Sequence, residues 1–497
     1  MGKSFDKALM GAAGTDGSYE IDQSISLNSV SVPNIYRQLE ATGNRRTFTL
    51  SYWLKPSLIS TDSSVSIDSG NSGGTSYAFF GFRTYHIRFQ LINGNSSVGL
   101  LQTNAVFRDS GAWYHIVGVV DTTQGTAANR MKIYVNGTQI TSFSTATYPS
   151  QNLDTAFSVD DNFINVGANT YWNTDNSYNG GIDGNMAEVH VIDGAAKAPS
   201  DFGEINEKTG QWIPKEYTGG SYGTNGFYGK FVSGAIGTDS SGQGNNMTVA
   251  NLANADVLID TPTNNFATLN PTDAFANGTF SEGNLKVITP SNAHGLSMAT
   301  IVPSSGKFYA EFTPNNTGAP VFGVRDLNQT GMLKSLPEGV GTTYGYYSPP
   351  SGTGYMYTNN GSGGNSGIAT KPNFTAGDVV AVTIDYDNGE VKLYNQNGLQ
   401  YTASSLDLTD VTFGVSDMDE SSSTTTWVAN FGQNGTFSGL LTAGGNTDAN
   451  DIGNFFYAPP SGFLALCTKN LADPVIPLPS AQFNTVLYTG TAATAQT

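Results

Sequence analysis

Apolar and polar residues alternate with a period of two over much of this chain, and helical periodicity is nowhere sustained. From Arg46 onward, Phe48, Leu50 and Tyr52 alternate with Thr47, Thr49 and Ser51. Successive strand side chains point to opposite faces, so this pattern predicts a half-buried strand. Further strands are predicted over residues 76–83, 86–92, 114–121, 131–135 and 162–167, and residues 185–193 alternate again. Asn136-Gly137 is a two-residue hairpin signal, because the favoured turn needs positive φ at both positions. A second strand-rich block starts near Asn277, alternating over 306–312, 379–386 and 390–394, with strands at 411–415 and 426–431. Its hairpin turns are Asp387-Asn388-Gly389 and Asn395–Gly398. Between the blocks, residues 200–275 are irregular, yet Trp212, Tyr217, Tyr222, Phe227 and Phe231 make them too aromatic for a free linker.

The pattern predicts an all-β fold of tandem β-sandwiches joined by an irregular connector. It divides into an N-terminal docking arm (1–25), a first sandwich (26–200), the connector (201–275), a second sandwich (276–470) and an extended C-terminal segment (471–497). Each sandwich is expected to hold its own core and to fold alone.

Composition narrows the partners. Glycine is 59 of 497 residues and charged residues are only 12%, which suits strands with long polar loops. The net charge of −18 argues against a nucleic-acid partner, which needs a dense basic footprint. No apolar run reaches the roughly 18–20 residues of a membrane span. The single cysteine, Cys467, excludes an intrachain disulfide framework and any multi-cysteine metal site. The first residues lack the apolar core of a secretory signal, so synthesis in the cytoplasm is expected.

The first block carries Phe48-Thr-Leu-Ser-Tyr-Trp-Leu-Lys55, Ala112-Trp-Tyr-His-Ile-Val117, Lys132-Ile-Tyr-Val-Asn-Gly137 and Gly184-Asn-Met-Ala-Glu-Val-His-Val-Ile-Asp-Gly194. It resembles the laminin-G-like, concanavalin-A-like jelly roll. The second carries Ser305-Gly-Lys-Phe-Tyr-Ala-Glu311, Gly377-Asp-Val-Val-Ala-Val382, Asp385-Tyr-Asp-Asn-Gly-Glu-Val391 and Asn430-Phe-Gly-Gln433, and looks like a SPRY sandwich. Together with Gly210-Gln-Trp-Ile-Pro-Lys215, Asp239-Ser-Ser-Gly-Gln-Gly-Asn245, Asp260-Thr-Pro-Thr-Asn264 and Phe483-Asn-Thr-Val-Leu-Tyr-Thr-Gly490, the string is similar to virion proteins of tailed, marine-type bacteriophages. That resemblance implies a non-enzymatic virion structural protein on the particle exterior, tail- or fibre-associated, assembled in the bacterial host cytoplasm. Its implied partners are other virion proteins through the arm, further copies of itself, and a host-surface glycan or protein receptor. A head-decoration or head-fibre protein is the first alternative and a polysaccharide depolymerase the second.

The depolymerase reading depends on carboxylates. Hydrolases of the concanavalin-A-like fold carry Glu-x-Asp-x-x-Glu on one strand, so that an acid and a nucleophile share a sheet face. The nearest match is Glu188-Val-His-Val-Ile-Asp193, where His190 replaces the middle carboxylate. Glu188 therefore reads as a structural strand residue, and no catalytic residue is assigned. No cofactor is expected apart from a structural calcium ion, for which Asp160 and Asp161 in an oxygen-rich loop are the candidates, against a reading as solvated loop acids. Two aromatic clusters are candidate ligand sites, because rings stack on sugar faces while polar groups bond hydroxyls. One is Tyr171, Trp172, Asn173 and Asp175, and the other is Tyr344, Tyr346 and Tyr347 with Tyr355 and Tyr357. Packing within a hairpin, or a subunit contact, is the competing reading of both.

Overall fold

The computed structural model describes residues 19–473 except 29–30, 58–62, 72, 169–179, 208, 273–277, 290–294, 316–317, 329–341, 360–365 and 418–423. Among the described residues there are strands and four single-turn 3-10 helices but no α-helix.

Two sheets form the first sandwich. One orders its strands as Thr138–Gln139, Met131–Val135, Tyr114–Asp121, Thr47–Pro56, Gly184–Asp193, Ser24–Leu27 and Val257–Leu258, with Phe227–Gly229 also paired to Gly184–Asp193. The facing sheet runs Phe143–Thr147, Ser96–Thr103, His86–Asn93, Tyr77–Arg83, Ser63–Gly70, Phe163–Val166, Asn34–Gln38 and Thr248–Ala250. Phe48, Leu50, Tyr52 and Leu54 fill the core from the strand whose alternation was the clearest sequence signal. The Asn136-Gly137 turn forms as expected, with φ of 47° and 77°.

The second sandwich pairs Thr279–Ser281, Lys286–Ile288, Thr426–Asn430, Lys307–Pro314, Val380–Asp385, Glu390–Asn395 and Gly398–Ala403 in one sheet. Gly295–Met298, Val411–Asp417, Pro320–Asp326, Thr343–Tyr347, Gly354–Asn359 and Ser366–Lys371 make the other. Its core centres on Phe312, Phe322, Phe413 and the fully buried Trp427, whose indole N–H donates to the Ser416 carbonyl at 2.9 Å.

Residues 201–275 are irregular, and they are built into both sandwiches. Phe227, Phe231, Ile236 and Met247 join the first core, while Leu258, Ala267 and Leu269 join the second. Where the two meet, the Lys55 ammonium is buried against Asp260 Oδ2 at 2.8 Å and also donates to Asn265 Oδ1 and the Phe266 carbonyl, each at 2.7 Å. A charge removed from water needs such a set of partners. Asp260 in turn accepts from the Asn185 amide, the Phe266 N–H and the Trp113 indole. The arm begins on the chain itself over its described part: Ile21 N–H donates to Thr263 Oγ1 at 3.1 Å, Glu20 pairs with Lys469, and Ser24–Leu27 is a strand of the first sheet.

Candidate functional site

Residues 185–193 were expected to alternate as a strand, and every residue of the strand Gly184–Asp193 is buried. Its second face is covered by segments from both sides in sequence: Ile192 packs with Phe202, Tyr222 and Tyr228, which follow it, and Ala187 packs with Ile21, Trp53 and Trp113, which precede it. Strict alternation would put Met186, Glu188 and His190 on one face. A β-bulge breaks it, because the register steps from Ala187 opposite Trp53 to His190 opposite Ser51. Glu188 adopts φ of 49°, a left-handed conformation that costs a non-glycine residue of order 1 kcal/mol or more. Met186, Val189 and Val191 then face the core, and Glu188 and His190 face the roof.

Under that roof one oxygen of Glu188, Oε2, is engaged. Tyr228 donates to its Oε2 at 2.6 Å and Tyr19 at 3.1 Å, and the two phenols lie 2.8 Å apart. His190 Nε2 stands 3.5 Å from the same oxygen, its Nδ1 is 2.8 Å from the Tyr222 hydroxyl, and its ring stacks on Tyr228 at 4.3 Å. Burial, then the Glu188 charge, hold the Tyr228 phenol far above its ordinary range. Asp193, the other end of the broken carboxylate pattern, accepts from Asn44 N–H, Ser158 Oγ and Asn225 N–H. Both carboxylates thus bind donors of the chain's own covering segments.

His115 lies beside this network with its tautomer set by its neighbours. The Trp212 indole can only donate, and it reaches His115 Nδ1 at 3.0 Å. The imidazole proton therefore sits on Nε2 and donates to Ser51 Oγ at 2.9 Å. Protonating Nδ1 would set two N–H groups against each other. Burial, then the charge of His190, lower His115 to about 3.

The tyrosines at 344–357 are on two adjacent strands rather than on a loop. Register pairs Tyr346 with Met356 and Tyr347 with Tyr355, so alternation sends them to opposite faces. Tyr346 is fully buried in the core, where its hydroxyl donates to the Pro372 carbonyl, and this removes it from any ligand surface. Tyr344 packs at the core margin, stacked on Tyr401 at 6.0 Å. Tyr347, Tyr355 and Tyr357 share the outer face, with ring centroids 6.1 and 6.2 Å apart, and Tyr355 is 37% exposed. Tyr171, Trp172, Asn173 and Asp175 lie outside the described residues. Asp160 and Asp161 occupy an exposed turn in which Asp160 Oδ1 caps the Asp161 N–H at 3.1 Å. Among the described residues no group of three His, Cys, Asp or Glu gathers in a way that could hold a metal.

One feature was not legible from the chain. A cleft of about 250 Å³ is lined by Val302, Pro303, Tyr386, Leu406, Asp407 and Asp410. Its polar groups turn to their own backbone or neighbours: Tyr386 donates to the Val411 carbonyl, Asp407 accepts the Thr409 N–H, and Asp410 accepts the Asn328 amide.

Residues 26–199 match the concanavalin A-like lectin/glucanases superfamily. This concanavalin A-like domain spans the described strands of the first sandwich from Asn34–Gln38 to Gly184–Asp193. No curated protein matches the chain. Among solved structures it is similar to the mouse laminin alpha1 chain domains LG4-5, at 11% identity over 92% of this chain and 90% of that one, with a TM-score of 0.30. It is also similar to the SPRY domain of human HERC1, at 15% identity over 32% of this chain and 96% of that one, TM-score 0.26. A heptameric SAP-like pentraxin from Limulus polyphemus shares 14% identity over 37% of this chain and 81% of that one, TM-score 0.28.

Proposed function

We propose that this is a non-enzymatic virion structural protein, tail- or fibre-associated, that contributes to recognition of a host-surface glycan. The observation that carries the non-enzymatic reading is the commitment of Glu188 and Asp193. Retaining hydrolysis needs two carboxyl groups about 5 Å apart with access to the sugar. Here one is closed in by Tyr19 and Tyr228 and the other by Asn44, Ser158 and Asn225. The superfamily description names lectins and glucanases alike and so supports a glycan ligand, and the phage-like motif string supports the virion location. Tyr355, with Tyr347 and Tyr357 beside it, offers rings on a rigid sheet face, and Trp172 offers a ring in the other candidate cluster.

The test is binding of the full chain to arrayed bacterial capsule and lipopolysaccharide fragments, with reducing ends followed in parallel. Binding without new reducing ends is expected. Tyr355→Ala should weaken binding at least tenfold while the melting temperature moves little, since an exposed ring contributes little to stability, and Trp172→Ala should likewise weaken binding at least tenfold. Turnover that Glu188→Gln abolishes would overturn the reading.

A further inference from the structure

An amine, a carboxamide and a carboxylate are closed in together where the two sandwiches meet. Lys55 stands near the end of the strand Thr47–Pro56 of the first sandwich. Asp260 and Asn265 flank the tight turn in which Thr261 and Asn264 exchange backbone hydrogen bonds at 3.1 and 3.0 Å. Lys55, Asp260 and Asn265 are 2%, 0% and 0% exposed. Lys55 Nζ lies 2.8 Å from Asp260 Oδ2 and 2.7 Å from Asn265 Oδ1. A nucleophile, an acyl acceptor and a proton carrier are therefore in contact and out of water.

Each group is held in one orientation. Asn265 Nδ2 donates to the Gly111 carbonyl at 2.7 Å. Turning the amide over would set its oxygen against that carbonyl and its N–H₂ against the ammonium, so Oδ1 stays on Lys55. Asp260 Oδ1 accepts the Phe266 N–H at 3.1 Å and the Trp113 indole at 3.3 Å, which turns Oδ2 to the amine. The Phe266 carbonyl takes another Lys55 N–H at 2.7 Å. Fixing reactants in place converts a bimolecular step into a unimolecular one, and a single turnover per molecule is enough.

We propose that Lys55 and Asn265 join in an isopeptide bond, with Asp260 carrying the proton. Asp260 takes one proton from the ammonium, and the freed electron pair on Nζ forms the bond to Asn265 Cγ. Collapse of the tetrahedral centre breaks the Cγ–Nδ2 bond. Nδ2 leaves with that electron pair and gains one proton from Nζ by way of Asp260, so ammonia departs. One proton remains on Asp260, and nothing is oxidised or reduced. The buried ion pair becomes a neutral amide and a neutral acid, which ends the cost of holding two charges out of water. The bond closes a loop of 210 positions around most of the first sandwich. Such a link restricts the unfolded chain, and tension along the chain would pass from Lys55 straight to Asn265.

The experiment is mass spectrometry of the full chain, intact and after proteolysis under denaturing conditions. The intact mass should fall one ammonia below that calculated for the chain, and the digest should contain a branched peptide joining Lys55 to Asn265. Lys55→Arg should restore the full mass and migrate more slowly in a denaturing gel, because its unfolded chain is no longer closed into a loop. An Asp260→Asn chain that folds, as followed by circular dichroism, should also stay unlinked. A full-mass wild type would overturn the proposal. So would an ammonia loss that maps elsewhere, a branched peptide joining Lys55 to Asp260 with loss of water, or a link that forms in Asp260→Asn.

Discussion

Two buried ionisable residues should give this protein opposing pH dependences. His115 is lowered to about 3 by burial and the charge of His190, so its contribution to stability is present above its unfolded value near 6.5. That contribution is lost as pH falls toward 3. Glu311 behaves oppositely. Burial raises it to about 7, against the pull of the Tyr457 and Phe456 N–H groups, the Tyr309 hydroxyl and the Asn430 amide. Its contribution is present below its ordinary value of 4.5 and is lost as pH rises through 7. Each shift corresponds to roughly 3 kcal/mol across the window from pH 4.5 to 6.5. In urea unfolding, His115→Gln should therefore lose stability relative to wild type least at low pH, and Glu311→Gln least at high pH. Parallel profiles for wild type and either variant would show that the residue does not titrate on unfolding in this range.

At the scale of elements, hairpin turns are placed by φ and limited by what packs over them. Gly137 needs its φ of 77°, and a Cβ there would also sit 2.5 Å from the Trp212 ring. Gly94 has φ of 57° with nothing within 4 Å. Gly94→Ala should cost only about 1 kcal/mol, from the backbone alone. Gly137→Ala adds overpacking and should cost about 2–4 kcal/mol in chemical denaturation. Equal losses would mean that Trp212 moves aside freely, and that its hydrogen bond to His115 holds little. The sequence made Asn136-Gly137 legible as a turn, because local φ preference is written in the two residues. It did not show Trp212 against that turn, since the contact spans 75 positions and depends on where the roof comes down.

For the whole molecule, the blocks of alternation are not the units of packing. A fragment of residues 26–200 would lack Phe227, Phe231, Ile236 and Met247 from the first core and the strand Thr248–Ala250 from its sheet. It should melt without a cooperative transition, whereas residues 19–258 should melt cooperatively when followed by circular dichroism. A cooperative melt of 26–200 at the same temperature as 19–258 would show that the later residues only decorate a finished sandwich. In either fragment Lys55 loses Asp260 and Asn265, so the intact chain should be the more stable.

The sequence by itself determined the all-β architecture, the strands that alternate most clearly and the hairpin turn at Asn136-Gly137, because period-two patterning and positive-φ residues act over a few neighbours; strands such as Ser63–Gly70, Ser96–Thr103 and Pro320–Asp326 escaped it. It also showed that Glu188–Asp193 departs from a hydrolase pattern. The tertiary structure decided which faces are covered. Alternation says that Tyr346 and Tyr347 point oppositely, but only the packed sandwich assigns Tyr346 to the core and leaves Tyr347, Tyr355 and Tyr357 on the outer face. The bulge at Glu188 and the roof over it arise where distant segments meet. Burial and desolvation there are set by the sum of contacts across the fold, which no local pattern encodes.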